Sequence, residues 1–523
     1  MGRNAFLAIE GLFNRVFGTR LNPFYHLGSL TIFFFWVVLF SGIYLFIFFD
    51  TSVHGAYESV EYLTHDQWWA GGIMRSLHRY ASDAAVVTMI LHLVREFFRD
   101  RYRAFRWFSW ITGMPLAWMV ALLGITGYWV VWDMLAQYVA ILSAELMDWL
   151  PLFNDSIARN FLMEGSVDDR FFTLMGFLHF LGIPVFLLLG IWLHVVRISA
   201  PQVNPPRELA IGTLAAMTIL SLIWPVTSHA PANLDLVATE LRLDWFYLAP
   251  YPLLDFWSRG AVWALLIGAT LLIVALPWLP PKRLKGEAQV DFEECNGCGR
   301  CYADCPYSAI DMQPRDPEGD PNDEVAVVDP AMCADCGICA GACPSAMPFR
   351  RVRPLPTGID LTDFPVKDLE EAIGAALEGK QAPRVLAFTC DYGPPAESLA
   401  GPATGVISLR CAGQLPPSFI DYALRKQGAE GIFVTGCRQG DCHFRQGNRI
   451  IEQRIAGVRE TPLRPRVDRR RVRVFWPETR DDKEASAALT AFHGDIGELL
   501  QEPAQDPGPD PEPEEHHGRA HHG

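Results

Sequence analysis

The sequence predicts a multidomain protein: an all-α membrane bundle of six transmembrane helices, then a small α+β domain built on metal-binding cysteines, then a small α/β domain. Three observations lead there. Six long apolar stretches lie before residue 280, all twelve cysteines lie after residue 290, and short buried-strand patterns recur between residues 384 and 476. At 523 residues the chain is too long for one domain. Half of its residues are hydrophobic and its formal net charge is −15, a balance that argues against nucleic-acid binding. The cysteines sit at metal-ligand spacings with none left over for a disulfide, which points to a reducing compartment. The first twenty residues lack the apolar core and small-residue cleavage site of a signal peptide.

The apolar stretches run approximately 27–49, 73–98, 107–132, 171–198, 208–228 and 256–279. Each is long enough to span a hydrocarbon core of roughly 30 Å at about 1.5 Å rise per residue. The loop REFFRDRYRAFR (95–106), the N-terminal Arg3, Arg15 and Arg20, and the exit segment PKRLKG (281–286) are basic. The opposite loops are acidic, with Glu58, Glu61, Asp66, Glu145, Asp148, Asp168 and Asp169. The positive-inside bias then puts the N-terminus in the cytoplasm, and six crossings return the chain there just before its first cysteine.

The second stretch carries His78 and His92, fourteen apart, and the fourth carries His179 and His194, fifteen apart. Fourteen residues are nearly four turns, so each pair shares a helix face with about 21 Å between its members. Histidine inside a membrane span is costly and functional by default. Both helices run from the outer side inward, so His78 should pair with His179 near one surface and His92 with His194 near the other. Gly28 and Gly42 in the first stretch, and Gly113 and Gly127 in the third, repeat the fourteen-residue spacing. Glycine there lets a flat macrocycle approach the helix backbone, so the pattern predicts a four-helix core with two bis-histidine macrocycle sites. Four ordinary satisfied histidines with small-residue packing are the alternative.

Cys295-x2-Cys298-x2-Cys301-x3-Cys305-Pro306 and Cys333-x2-Cys336-x2-Cys339-x3-Cys343-Pro344 follow the bacterial two-cluster ferredoxin pattern, in which each fourth cysteine ligates the other cluster. Cys295, Cys298, Cys301 and Cys343 should hold one [4Fe–4S] cluster, and Cys333, Cys336, Cys339 and Cys305 the second, in a ferredoxin-like α+β domain. Zinc is the alternative. Downstream, 366–379 reads as an amphipathic helix, and RVLAFTC (384–390), GVISLRC (405–411), GIFVTGC (431–437) and the region 472–476 read as buried strands of a mostly parallel sheet. Three of these end at Cys390, Cys411 and Cys437, and Cys442 follows; four thiolates at one sheet edge suit a [2Fe–2S] cluster or zinc. The boundaries read as a membrane domain 1–280, a linker 281–290, a two-cluster domain 291–350, a connector 351–382, a third metal domain 383–480, and a C-terminal helix with an acidic, His-rich, disordered tail 481–523.

RSLHRYASDAAVVTMILHLVREF (75–97) and GITGYWVVWD (124–133) closely resemble the cytochrome b family, and the fifteen-residue step resembles its short plastid-and-bacterial branch. HAPANLDLVATELRLDWFYLAPYPLLDFW (229–257) is similar to a fused piece of subunit IV bordering the outer quinol-oxidation site. The family's Pro-Glu-Trp-Tyr stands here as Leu243-Asp244-Trp245-Phe246, which makes Asp244 a candidate proton acceptor for quinol. The resemblance makes the two bis-histidine macrocycles haem b, and it also implies Arg75 and Arg79 as haem-propionate partners, with Arg95 after the inner ligand, and a homodimer through the membrane domain. Where short-branch proteins tether an extra haem through a cysteine, this chain has His26, so no thioether forms. GCRQGDCHFRQGN (436–448) with the earlier CDYG and CAG resembles the delta subunit of methyl-viologen-reducing hydrogenase, which implies a [2Fe–2S] cluster and a cytoplasmic flavoprotein partner of the heterodisulfide-reductase type. Together these imply a multi-pass protein of the inner (cytoplasmic) membrane, an electron-transfer subunit between quinone and that partner. A quinol-oxidising complex that splits electrons between two acceptors is the second expectation, although no Rieske-type ligand set is present. A membrane anchor with vestigial haems is the third.

Overall fold

The computed structural model describes residues 2–151, 169–196, 202–237, 240–279, 287–349, 355–438, 441–477 and 482–502. Asp168, most of the expected linker including the basic segment 281–286, and the tail beyond residue 502 lie outside them. The chain divides into two compact units, Met1–Leu284 and Lys285–Gly523.

The first unit is helical. Its principal helices are α1 (Gly2–Leu21), α2 (Leu27–Phe48), α3 (Ile73–Phe98), α4 (Trp107–Trp129), α5 (Met134–Asp148), α6 (Asp169–Phe177 continuing through Ile183–Val195), α7 (Arg207–Ile223) and α8 (Arg259–Ala275). Four segments are long and apolar enough to cross a membrane: Leu27–Phe48, Trp107–Trp129, Phe172–Val195 and Arg259–Trp278. They present large apolar side chains such as Phe40, Ile47, Phe186 and Leu271 outward, as lipid requires. The other two expected spans depart from that pattern for different reasons. Helix α3 has 26 residues but carries Arg75, Arg79, Asp83, Arg95 and Glu96. Helix α7 has only 17 residues, about 26 Å of rise.

Helix α6 contains a π-helical turn at Leu178–Gly182, closed by the Ile183 amide donating to the Leu178 carbonyl. Such a turn takes up one extra residue. It therefore absorbs the difference between the fifteen-residue step of α6 and the fourteen-residue step of α3, and keeps His179 and His194 on one face. Helix α5 lies outside every sequence expectation. Asp133 caps it by accepting from the Ala136 amide at 2.8 Å and also accepts from the His229 amide at 2.9 Å, which ties the segment after α7 to this helix.

In the second unit, β1 (Ala288–Val290) pairs antiparallel with β4 (Ile359–Leu361), and β2 (Ile310–Pro314) with β3 (Glu324–Val328). The short helices α9 (Arg300–Asp304) and α10 (Ile338–Ala342) complete the two-fold repeat. Strand β1 begins inside the expected linker and β4 inside the expected connector, so both segments belong to the sheet framing the cysteines. Helix α11 (Leu369–Leu377) leads to a four-stranded parallel sheet of order β6-β5-β7-β8, with β5 Val385–Cys390, β6 Thr404–Leu409, β7 Gly431–Thr435 and β8 Val472–Phe475. Helices α12 (Pro417–Arg425), α13 (Gly447–Ala456) and α14 (Asp482–Leu499) cover it. Its core includes Leu386, Phe388, Phe419, Ile420 and Ile432, all fully buried.

Candidate haem, iron–sulfur and quinone sites

One of the two expected histidine pairs is in direct contact. The His78 and His179 imidazoles lie with ring centres 6.3 Å apart. Two imidazoles on opposite faces of one metal, each with a bond of about 2 Å, put their ring centres roughly 6 Å apart. His92 and His194 stand opposite Gly28 and Gly113, the second pair of glycines. Each histidine faces one of the four glycines. A Cβ would stand 3.0 Å from His78 at Gly42, 2.9 Å from His179 at Gly127, 3.3 Å from His194 at Gly113 and 3.4 Å from His92 at Gly28.

The ring nitrogens are oriented for ligation. His78 Nδ1 donates to the Val38 carbonyl at 3.0 Å and lies 3.2 Å from Ser41 Oγ. Thr126 Oγ1 lies 3.2 Å from His179 Nδ1, and Thr112 Oγ1 lies 3.2 Å from His194 Nδ1. Fixing Nδ1 as the protonated nitrogen leaves Nε2 free for iron. These hydroxyls escaped the sequence reading, yet a signal was present: Ser41, Thr112 and Thr126 each precede a cradle glycine, whereas Leu27 precedes Gly28.

Beside His78, Arg79 binds Asp244 at 2.7 Å and lies 3.5 Å from Asp83. Tyr128 donates to the same Asp244 oxygen at 2.6 Å, and the Phe246 amide donates to the other at 2.7 Å. Asp244 is thus nearly buried and clamps the 240s segment between α3 and α4. Tyr247 lies against Gly124, and its hydroxyl is 2.6 Å from Ser82 Oγ. Arg75 donates to Thr64 and to Ser228 Oγ, the latter at 2.7 Å, and sits 3.6 Å from Glu61. Two of the residues expected to act separately, Arg79 as propionate partner and Asp244 as proton acceptor, therefore bind each other. Near the opposite end of α3, Arg95 and Arg99 both bind the buried Glu10 of α1, Arg95 at 2.7 Å. His26 Nε2 lies 2.9 Å from the Arg20 carbonyl.

The eight central cysteines line two cavities in the partition that the spacing predicts. One is bordered by Cys295, Cys298, Cys301 and Cys343, the other by Cys305, Cys333, Cys336 and Cys339. Among the described residues no group of three or more His, Cys, Asp or Glu converges as on a single ion. Burial, with charge on neighbouring cysteines adding to it, pushes the Cys336 and Cys339 thiols well above the usual thiol range.

Cys390 ends β5, while Cys411 and Cys437 follow β6 and β7 by two residues. All lie at the carboxyl edge of the parallel sheet, where the strand order reverses. Cys390 Sγ is 3.7 Å from Cys437 Sγ. A Cβ at Gly447 would lie 2.0 Å from Cys411 Sγ and 3.6 Å from Cys442 Sγ, so only glycine fits beside the sulfurs. The His443 ring stacks on Tyr392 at 3.6 Å, and its amide donates to Cys437 Sγ at 3.5 Å.

Three family models match the chain in the order read from the sequence. Cytochrome b/b6/petB covers residues 12–201, the 4Fe-4S dicluster domain 294–347, and the methyl-viologen-reducing hydrogenase delta subunit 395–499. The chain contains a cytochrome b domain. It implies haem b, and the dicluster domain behind it implies iron–sulfur clusters. Cytochrome b6 of Prochlorothrix hollandica is 27% identical over 187 residues, which cover 36% of this chain and 84% of that protein. A solved structure described as hyperthermophilic respiratory Complex III aligns at TM-score 0.41 and 19% identity, over 53% of this chain and 82% of that one.

Proposed function

We propose that this chain is the electron-transfer subunit that connects the quinone pool to a cytoplasmic flavin and iron–sulfur enzyme of the heterodisulfide-reductase type. The observation that carries the proposal is the joining, in one chain, of two matched histidine pairs and three four-cysteine sets. Haem and iron–sulfur groups, when bound, supply one-electron redox steps. The residues then have distinct tasks. His78 with His179, and His92 with His194, would each hold one haem b. Val38, Ser41, Thr112 and Thr126 orient the imidazoles, and the four glycines keep the approach open. The two central cysteine sets would hold [4Fe–4S] clusters and the C-terminal set a [2Fe–2S] cluster.

In this scheme quinol binds at the segment around Asp244. Asp244 takes the proton there after release from Arg79 and Tyr128, and its clamped position supports a role in shaping that pocket. Six crossings, a cytoplasmic N-terminus, an inner-membrane location and a homodimer through the membrane domain complete the scheme. The substrate chemistry belongs to the partner, because the soluble unit's chemistry-bearing groups are its metal ligands. Purification from membranes with quantification of haem b and iron, followed by quinol-dependent reduction of the clusters, tests the proposal. Recovery with two haems and iron at all three cysteine sets, together with a flavoprotein, is expected. A haem-free preparation refutes it.

A further inference from the structure

Two buried arginines span the join between the two-cluster fold and the parallel-sheet fold. Arg454, on α13, is 0% exposed. Its guanidinium donates to Asp304 Oδ2 at 2.5 Å, to the Gly413 carbonyl at 2.9 Å and to the Ile338 carbonyl at 3.2 Å. Asp304 immediately precedes Cys305, Ile338 lies between Cys336 and Cys339, and Gly413 follows Cys411 by two residues. Arg410, the residue before Cys411, pairs with Asp335 at 3.3 Å and with Asp391 at 2.9 Å. Asp335 lies between Cys333 and Cys336, and Asp391 follows Cys390. Each arginine therefore grips residues beside ligands of both sets.

The contact admits no slack. A Cβ at Gly341 would stand 2.3 Å from the Gly413 carbonyl oxygen, and one at Gly337 would stand 2.8 Å from Gln414. Gly337 also has a φ of +72°, a left-handed backbone that only glycine adopts freely. The Cys295–Cys298–Cys301–Cys343 cavity, by contrast, is bordered by Met312, Ala326 and Gly358 and includes the exposed Cys298.

We infer that the three cysteine sets form a relay of fixed order in which the Cys305–Cys333–Cys336–Cys339 site is the middle station, with Arg454 and Arg410 as the positioning residues of its junction with the C-terminal set. The inference rests on the cluster assignment proposed above. In each step one electron leaves one cluster and enters its neighbour; no bond breaks, no proton moves, and donor and acceptor both belong to this chain. A buried guanidinium is weakly screened and favours the more negative, reduced state of the nearest cluster. Arg454 neighbours Asp304 and Arg459, so its loss removes net positive charge from the middle site.

The test is an EPR-monitored redox titration of the purified full-length chain. Arg454→Gln should weaken reduction of the middle cluster about tenfold, a shift of about 59 mV. The outer cluster's potential should hold, and Arg454→Lys should restore most of the loss. Independently, Cys442→Ser should remove the part of the middle cluster's magnetic coupling that comes from the C-terminal set, and leave the coupling to the outer, Cys295–Cys298–Cys301–Cys343 cluster and that cluster's signal unchanged, a readout that does not depend on Arg454 folding effects. An unshifted middle cluster in Arg454→Gln, or an altered outer cluster in Cys442→Ser, overturns the order. Zinc in the wild-type C-terminal site sinks the cluster assignment and the relay together, whereas three loaded clusters without coupling sink the relay alone.

Discussion

The four glycines that face the histidines differ in the room they leave, and that difference predicts a graded result. An alanine Cβ would stand 2.9 Å from His179 at Gly127 and 3.0 Å from His78 at Gly42. Ordinary carbon contacts begin at about 3.5 Å, so each ring must retreat by roughly 0.5 Å. Metal–ligand distances tolerate only about 0.2 Å. Gly42→Ala and Gly127→Ala should therefore each lose the haem held by His78 and His179, with the haem-to-protein ratio falling from two towards one. At Gly113 and Gly28 the same atom would stand 3.3 Å and 3.4 Å from the ring, a deficit of about 0.1–0.2 Å that a small shift absorbs. Gly113→Ala and Gly28→Ala should keep close to two haems. Pyridine haemochrome assays on the purified variants read the ratio directly. Equal haem loss from Gly28→Ala and Gly127→Ala would refute the geometric argument.

Three further outcomes follow from the same contacts. Asp244→Asn keeps one acceptor oxygen but removes the negative charge paired with Arg79 and the ability to take a proton, and should slow quinol oxidation at least tenfold while haem content stays at the wild-type level; an unchanged turnover rate removes Asp244 from the site. Glu10→Ala removes the buried carboxylate that Arg95 and Arg99 share, while Arg95 keeps Glu96 at 3.6 Å, so the loss stays below the about 3–5 kcal/mol of a fully broken buried pair and should lower the melting temperature of the detergent-solubilised protein by a few degrees. Cys390→Ser should reduce bound iron by about two atoms per chain and leave the signals of the [4Fe–4S] clusters intact; loss of zinc instead would reassign the C-terminal site.

Much of the site was legible in the sequence because its chemistry depends on spacing. The fourteen-residue steps of α2, α3 and α4 translate directly into position on a helix face, so the matching of His78, His92, Gly28, Gly42, Gly113 and Gly127 could be read without coordinates. The same holds for the cysteine runs, whose exchange of fourth ligands is fixed by the repeat. The fifteen-residue step of α6 was legible only as a family feature; its physical reason, a π-helical turn, needs backbone hydrogen bonds. Asp244 was singled out as an acid near quinol, but its partners Arg79 and Tyr128 are 165 and 116 residues away, beyond any local pattern. Helix α5 was missed because its turns mix small and polar residues, with Gln137 and Ser143 buried among alanines, and carry no long apolar run. Strands β1 and β4 are three residues each, too short for alternation to register, and their pairing across about 70 residues is what places them in the two-cluster fold.

The proposed function requires electrons to pass from the cysteine-bound clusters to the haems. Anaerobic mixing of the purified protein with a low-potential one-electron donor, with haem b absorbance followed in time, measures it most directly. Rapid haem reduction is predicted for the wild type, and at least a hundredfold slower reduction for a Cys336→Ser/Cys339→Ser variant that retains both haems. Haem reduction at the wild-type rate in that variant would contradict the account.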